Sequence, residues 1–252
     1  MRPARLAGAR SSNLAEAPEH AAELRALLER AWPAFITRGH SDTTPDWLEA
    51  HARWPALQLL IHDEHGALVA AGSSVPLASA PTPLPDEGWD WAVRGARAVG
   101  ASGDRPTVLA GLSVTVAPEA RGRGLSSLIL DEMVSAARAR GMDRVIIPVR
   151  PTLKPRYPLI PMARYIQWER GDGSPMDPWL RVHTRMGGRI LGCCERSMTI
   201  DGTVAEWESW LDLALPASGT YTAPGLLAPL TLDREADRGV YVEPNVWVVH
   251  AV

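Results

Sequence analysis

Two arginines alternate with two glycines where an apolar segment gives way to a helical pattern, in the run Val114-Thr-Val-Ala-Pro-Glu-Ala-Arg-Gly-Arg-Gly-Leu-Ser-Ser127. The first N–H groups of a helix have no intrahelical partner and that end is partly positive, so a phosphate can bind there. Gly122 and Gly124 let the backbone approach such an anion, while Arg121 and Arg123 add charges whose geometry suits phosphate. The run therefore predicts a phosphate-binding turn between a strand and a helix. An ordinary strand-to-helix turn is the alternative.

The residues around these glycines separate the known phosphate-binding motifs. A Walker loop is excluded because no Gly-Lys-Ser/Thr follows the turn. A dinucleotide fingerprint requires an acid about 20 residues on, at the end of the next strand, whereas Asp143 precedes that strand. What remains is Arg121-Gly-Arg-Gly-Leu-Ser126, which resembles the loop Arg/Gln-x-x-Gly-x-Gly/Ala of the GNAT superfamily of acyl-CoA N-acyltransferases. Ser126 stands where that family usually has glycine or alanine, and serine is small enough to fit.

This resemblance, which is close over about residues 108–192, implies a donor site. Acetyl-CoA or another acyl-CoA would be the co-substrate, with its pyrophosphate on the loop and its pantetheine arm along the preceding strand. The expected cofactor-binding residues are Val114, Val116, Arg121, Gly122, Arg123, Gly124, Leu125 and Ser126.

The order of predicted elements extends the resemblance toward the amino terminus. Two amphipathic helices, a hairpin, the strand before the loop, the helix after it and a further strand occur in that order, which is typical of GNAT proteins. We therefore expect an α/β fold (a mixed α+β sheet) in which helices flank a central sheet whose strands splay apart. Pro148 supports the splay, since proline cannot donate to a strand ladder, and a bulge or an edge position is the alternative explanation.

The chain is expected to form one elaborated domain. Residues 1–195 would be the acyltransferase domain, with insertions at about 77–106 and 150–178, and residues 196–252 a C-terminal extension packed on it. No long flexible linker separates the parts. Two strand-like runs, Leu226–Leu232 and Val246–His250, fall in the extension.

Aromatic and acidic residues in the two insertions are candidates for binding the acceptor. The first insertion holds an acidic and aromatic cluster that could receive a cationic amine, and the second leaves the sheet beside the expected cleft. The predicted substrate-binding residues are Asp86, Trp89, Tyr157, Tyr165 and Trp168. Capping and core packing are the alternative roles.

Acyl transfer to an amine requires a base for the amine proton and an acid for the departing thiolate. The glutamate that many GNAT proteins carry early in the central strand is absent from Leu109–Ser113, so the base is unassigned. The candidates by position alone are Asp86, Glu87, Asp172 and Asp177. Alignment on Gly187 puts His183 where the family usually has its acidic tyrosine, and core packing is its alternative role. We interpret His51, on the second helix, as a packed or half-exposed residue rather than a ligand.

Composition narrows the class of protein. The chain has 252 residues, 46% of them apolar, and a net charge of −3, so it can bury a large core and has no global tendency to bind nucleic acid. Its amino terminus lacks a secretory pattern, and no apolar run is long enough for a membrane span. The two cysteines, Cys193 and Cys194, are adjacent, which excludes a disulfide framework and a structural zinc ligand set of the usual kind. We expect a cytoplasmic enzyme that uses no metal and no membrane.

The expected activity is transfer of an acyl group, most simply acetyl, to a small-molecule amine. The sequence leaves open whether the protein forms a homodimer. One alternative is a non-catalytic acyl-CoA sensor. Another is a donor carried on a carrier protein or an aminoacyl-tRNA, which would need a basic docking surface from Arg150, Lys154 and Arg156.

Overall fold

The computed structural model describes residues 8–103 and 105–252. Within them, the strands are β1 (Arg10–Asn13), β2 (Gln58–His62), β3 (Leu68–Leu77), β4 (Val108–Val116), β5 (Arg144–Val149), β6 (Arg189–Gly202), β7 (Gly219–Tyr221), β8 (Leu230–Asp233) and β9 (Arg238–Ala251). The α-helices of the same residues are α1 (Ala21–Ala31), α2 (Ala34–Arg38), α3 (Thr44–Arg53), α4 (Gly88–Ser102), α5 (Leu125–Ala139), α6 (Met162–Tyr165), α7 (Pro178–Arg185) and α8 (Val204–Leu211). No helix of the described part is long and apolar enough to cross a membrane.

The strands form one mixed sheet in the order β1-β2-β3-β4-β5-β9-β8-β7, with β6 paired to β9. Neighbours pair antiparallel except β4 and β5, which run parallel. That parallel pairing covers only Val108–Ala110 against Arg144–Ile146. The two strands then separate, which confirms the predicted mixed α/β fold with a splayed sheet.

Helix α5 covers one face of the sheet because small residues there admit its apolar side chains. A Cβ on Gly72 would lie 2.4 Å from Ile129 Cγ2, and one on Gly111 would lie 3.4 Å from Met133 Sδ. Strand side chains alternate between faces, so Ser73 points away from α5. The opposite face carries α1 and α4, which pack near β3 and β4, while α3 packs on α4 and contacts β3 through His51 and Ser73.

The predicted local elements are largely confirmed. The hairpin is β2–β3, and the two amphipathic helices are α1 and α3. Asp177, a candidate base by position, instead caps α7 by accepting N–H bonds from Trp179 and Leu180. The first insertion contains the 15-residue helix α4. The strand predicted at Leu226–Leu232 begins only at Leu230, because the N–H of Leu226 bonds back to Ala223 in a turn.

Residues beyond 195 contribute to the central sheet. Strand β6 runs continuously through residue 195, and β9 lies directly beside β5. A second apolar cluster places Trp207 and Tyr241 against Phe35 of α2. The C-terminal part therefore shares both sheet and core with the amino-terminal part.

Candidate active site

The gap between β4 and β5 presents unpaired backbone groups. The N–H of Ala117 donates to Val69 O at 2.9 Å, which makes these two residues a hydrogen-bonded pair of β3 and β4. Hydrogen-bonded and non-hydrogen-bonded positions alternate along an antiparallel pair, so Val114 and Val116 direct their N–H and C=O groups away from β3. Because β5 no longer pairs with β4 at this level, these groups face the gap. An extended chain of alternating amides could bind there.

The loop at the start of α5 offers further N–H donors. Gly122 (φ 80°) and Gly124 (φ 77°) are left-handed, and Gly124 is the N-cap of α5 without any side-chain cap. Among the described residues, no protein acceptor receives the backbone N–H groups of 122–126. Arg121 and Arg123 are exposed beside them and form no ion pair within the described residues. The loop thus combines free N–H groups, a helix N-terminus and two unpaired guanidinium groups, which suits a pyrophosphate.

A cavity of about 880 Å³ lies on the face of the sheet opposite α5. It meets the gap at Leu112, Ser113 and Pro148. Helices α1 and α3, the start of α4, and strands β6 and β9 provide its other walls, with Leu14, Leu24, Arg25, Leu28, Glu29, Trp32, Trp47, His51, Trp89, Met198, Ile200, Glu243 and Asn245 among the lining residues. A donor in the gap and an acceptor in this central cavity would meet at the middle of β4.

Strand β4 carries a bulge at that meeting point. Ser73 pairs with Ser113 but Ser74 pairs with Gly111, so Leu112 is the extra residue. The indole N–H of Trp89 donates to Leu112 O at 3.2 Å and fixes the bulge from α4. Bulges commonly redirect backbone groups beside active sites.

His51 reaches this region through a hydrogen-bond relay that fixes its tautomer. The side-chain NH₂ of Gln58 donates to Trp54 O (3.1 Å) and Ser74 O (3.0 Å), which leaves Gln58 Oε1 as an acceptor. Ser73 donates its hydroxyl proton to that oxygen at 2.5 Å. The Ser73 oxygen must then accept from His51 Nε2–H, at 3.3 Å. Nδ1 of His51 therefore carries the free lone pair.

The protein also keeps this imidazole neutral. Burial, followed by the positive charge of Arg25, lowers the pKa of His51 to about 4. A neutral imidazole that lines the cavity and bonds Ser73, the residue paired with Ser113, can accept a proton from an amine. The bonds that place His51 here have no local sequence signal, because Ser73 and Gln58 approach His51 only through the tertiary arrangement of α3, β2 and β3.

Comparison with known proteins identifies the family. The sequence profile of the Acetyltransferase (GNAT) family matches residues 21–160. The chain belongs to the GNAT family. A relative, the arginine N-acetyltransferase avaD of Aspergillus versicolor, is 32% identical over 93% of this chain and 88% of that protein. These two matches support an acyl-CoA-dependent N-acetyltransferase and confirm the resemblance found in the sequence.

Solved structures share the fold across nearly the whole chain. The loading GNATL domain of CurA from Lyngbya majuscula has 18% identity and a TM-score of 0.62, with 96% of each chain covered. The GphF GNAT-like decarboxylase in complex with isobutyryl-CoA has 22% identity and a TM-score of 0.61, with 96% of this chain and 98% of that one covered. The GNAT fold therefore extends through the C-terminal strands.

The position of His183 does not support the acid role expected from the family pattern. Its side chain is fully buried, its Nδ1 lies 2.9 Å from His250 Nε2, and it does not line the central cavity. Burial and His250 lower the pKa of His183 to about 3, so the imidazole is neutral. These surroundings are those of a histidine packed in the core, which is the alternative role given for His183.

Three predicted acceptor residues of the second insertion lie away from the cavity. The rings of Tyr157 and Tyr165 both contact Trp168, with centroids at 4.9 and 5.2 Å. The hydroxyl of Tyr165 donates to Asp177 Oδ2 at 2.8 Å, which ties the insertion to the start of α7. These rings pack the insertion against the fold and do not line the central cavity.

The acidic candidates of the sequence also lie elsewhere. Asp86 accepts the N–H of Glu195 at 2.6 Å on the surface. Asp86, Glu87, Asp172 and Asp177 are absent from the cavity lining, so none is placed as the base. Among the five predicted substrate-binding residues, Trp89 alone lines the central cavity.

The proposed basic docking surface is not formed. Nε of Arg150 donates to both oxygens of Glu243, at 2.9 and 3.0 Å. Lys154 is buried, and its ammonium donates to the backbone oxygens of Tyr157 and Leu227. Only Arg156 of the three stays exposed.

Besides Arg150, Tyr241 and Asn245 also donate to Glu243, so the hydrogen-bonding capacity of this cavity carboxylate is used within the protein.

Proposed function

We propose that this GNAT enzyme transfers the acetyl group of acetyl-CoA to the amine of a small amino acid held in the central cavity. The observation that carries the proposal is the opening of the β4–β5 gap into that cavity at Leu112, Ser113 and Pro148. Acetyl-CoA supplies an acyl group on a thioester, whose sulfur leaves as thiolate.

The donor half of the site consists of backbone groups. The N–H groups of 122–126 would hold the pyrophosphate together with Arg121 and Arg123. Val114 and Val116 would pair with the pantetheine amides. An N–H from β4 near Val114 would polarise the carbonyl, as fixed donors do in acyl transfer.

His51 would take the proton of the acceptor amine. Its free Nδ1 lone pair results from the bonds to Ser73 and Gln58, and its low pKa keeps it unprotonated at neutral pH. No carboxylate on the cavity offers an equivalent inner position among the described residues, since Glu243 is saturated and Glu29 is exposed.

Two opposite charges on α1 point to an amino-acid acceptor. Arg25 and Glu29 both line the cavity, are exposed to it, and form no ion pair within the described residues. A guanidinium suits a carboxylate, and a carboxylate suits a cationic side chain. The arginine N-acetyltransferase relative acts on a molecule with both groups. We therefore assign the acceptor carboxylate to Arg25 and a cationic acceptor side chain to Glu29.

Arginine and its decarboxylated analogue agmatine test this assignment, because only arginine has the carboxylate. Arg25→Met should raise KM for arginine about tenfold, which corresponds to one charge-assisted hydrogen bond, and leave KM for agmatine unchanged. The matched control is Arg30→Met, on the same helix but paired with Glu119 on the surface at 3.6 Å. Equal losses with both amines would refute the role of Arg25.

The proposed function itself has a simpler test. A protein that binds acetyl-CoA yet acetylates neither arginine, agmatine nor other amino acids would refute it.

A further inference from the structure

Three side chains with metal-binding atoms meet outside the central cavity. His20 immediately precedes α1, Glu23 lies in its first turn, and His62 is the last residue of β2. One nitrogen or oxygen from each lies within 4.8 Å of the others. His20 Nδ1 is 2.8 Å from Glu23 Oε2, and His62 Nε2 is 3.8 Å from the same oxygen. None of the three lines the cavity.

The side chain of His62 has a buried nitrogen that an ordinary ion pair with Glu23 does not satisfy. The residue is only 8% exposed, and its Nε2 is buried without any hydrogen-bond partner. An unsatisfied buried polar atom costs about 1–3 kcal/mol, so such atoms are rare without a function. A register shift between Ile61 and His62 turns this side chain out of the regular β2–β3 pairing, toward Glu23.

Glu23 is held so that one oxygen stays available. Its Oε1 accepts the backbone N–H of Leu68 at 3.0 Å, which leaves Oε2 directed at the two imidazoles. Outer hydrogen bonds of this kind orient metal ligands. The carboxylate of Asp63 also acts electrostatically on His62 and adds negative charge nearby.

We propose that His20, Glu23 and His62 form a binding site for Zn²⁺. Two imidazole nitrogens and one carboxylate oxygen match the ligands that zinc accepts at about 2.0–2.2 Å, with a fourth position left for water. To bind zinc, the 3.8 Å between His62 Nε2 and Glu23 Oε2 must shorten and the 2.8 Å between His20 Nδ1 and Glu23 Oε2 must widen. His20 and Glu23 are half-exposed and free to adjust. Zinc would join the start of α1 to the end of β2. Since α1 carries Arg25 and walls the cavity, the metal would hold that wall against the sheet. The site departs from the sequence expectation that the protein uses no metal.

The test uses the untagged full chain, stripped with a chelator and titrated with Zn²⁺ or Co²⁺. We expect one metal per chain by native mass spectrometry, visible Co²⁺ d–d bands of a low-coordinate N/O site, and a rise in Tm of about 5–10 °C at saturating Zn²⁺. His62→Gln should abolish all three effects. Glu23→Gln, which keeps the acceptor for Leu68, should weaken binding at least tenfold and serves if His62→Gln does not fold.

His65→Gln is the matched control, because His65 lies near Glu64 (3.8 Å) on the exposed hairpin turn and should be silent. The proposal fails if the stripped wild type shows neither Co²⁺ bands nor a change in Tm. It also fails if folded His62→Gln or Glu23→Gln binds Zn²⁺ as tightly as wild type, since the metal would then sit elsewhere. Neither outcome bears on acetyl transfer, which is measured separately.

Discussion

At the scale of single residues, the proposed base depends on a distinction between half-buried His51 and fully buried His183. His51 and His183 are both neutral, because burial lowers the pKa of each, to about 4 and about 3. His51 nevertheless lines the central cavity, whereas His183 is enclosed between Trp179 and His250. Access to the cavity therefore favours His51 over His183 as the proposed base.

We predict that His51→Ala lowers kcat by about 10²-fold, the lower end of the usual range for a positioned base, since a group with a pKa near 4 accepts protons weakly. Affinity for acetyl-CoA should not change. Steady-state kinetics and calorimetry measure the two quantities. His183→Phe is the control, and it should lose stability but retain most of kcat. The reverse pattern would return the catalytic role to His183.

The pH dependence follows from the same pKa. The base is competent only when neutral, so activity that depends on His51 is lost as pH falls through about 4, rather than through the ordinary histidine value near 6.5. Deprotonation of the acceptor amine raises activity with pH in every variant. The ratio of kcat/KM between wild type and His51→Ala should therefore be constant from pH 6 to 8. A ratio that falls about fourfold from pH 8 to pH 6 would contradict this, because that is the loss expected of an imidazole with the ordinary pKa near 6.5.

At the scale of elements, the donor site depends on the conformation of one turn. Gly124 combines a positive φ with open surroundings, since a Cβ there would meet no protein atom within 4 Å. An alanine would add about 1–2 kcal/mol of backbone strain, and its methyl group would occupy the space in front of the free N–H groups. The loss of acetyl-CoA affinity should therefore exceed what strain alone explains.

We predict that Gly124→Ala weakens acetyl-CoA binding by tenfold or more, measured by calorimetry on the folded protein. Gly173→Ala is the matched control, because Gly173 has a similar φ of 73° in equally open space on the second insertion. It should show a comparable stability loss with unchanged affinity. Unchanged affinity in Gly124→Ala would remove the loop from the donor site.

Local patterns predicted these elements well because their signals are local. The amphipathic pattern of α1 and the Arg121–Ser126 loop each occupy a short run of consecutive residues. The sequence pattern could not assign Tyr165 and Asp86 to structural bonds rather than to acceptor binding, because aromatic and acidic residues serve both purposes. Only the bonds of Tyr165 to Asp177 and of Asp86 to Glu195 distinguish those uses.

At the scale of the whole molecule, the central cavity has no local signature. Its lining runs from Leu14 to Asn245, so its walls are brought together only by the sheet order. The insertion of β9 beside β5 joins residues about 100 positions apart. Such a pairing depends on which strand best covers an apolar edge, and periodicity along the chain does not encode that choice. The sequence therefore predicts a donor loop, whereas neither the cavity nor the proposed base has a signal in it.

The position of β9 supports a last prediction, that residues 1–195 do not fold alone. Val246, Trp247 and Val248 are buried in β9, and burial of each such side chain contributes roughly 1.5–3 kcal/mol. Their sum is a large share of a typical total stability of about 5–15 kcal/mol. Without β9, the apolar residues of β5 would also lose their neighbour and form an exposed edge.

Circular dichroism tests this prediction. We expect the 1–195 chain to aggregate or to melt without a cooperative transition. A chain ending at His250 should melt like the full protein. A cooperatively folded 1–195 chain that binds acetyl-CoA would instead make the C-terminal part a dispensable extension.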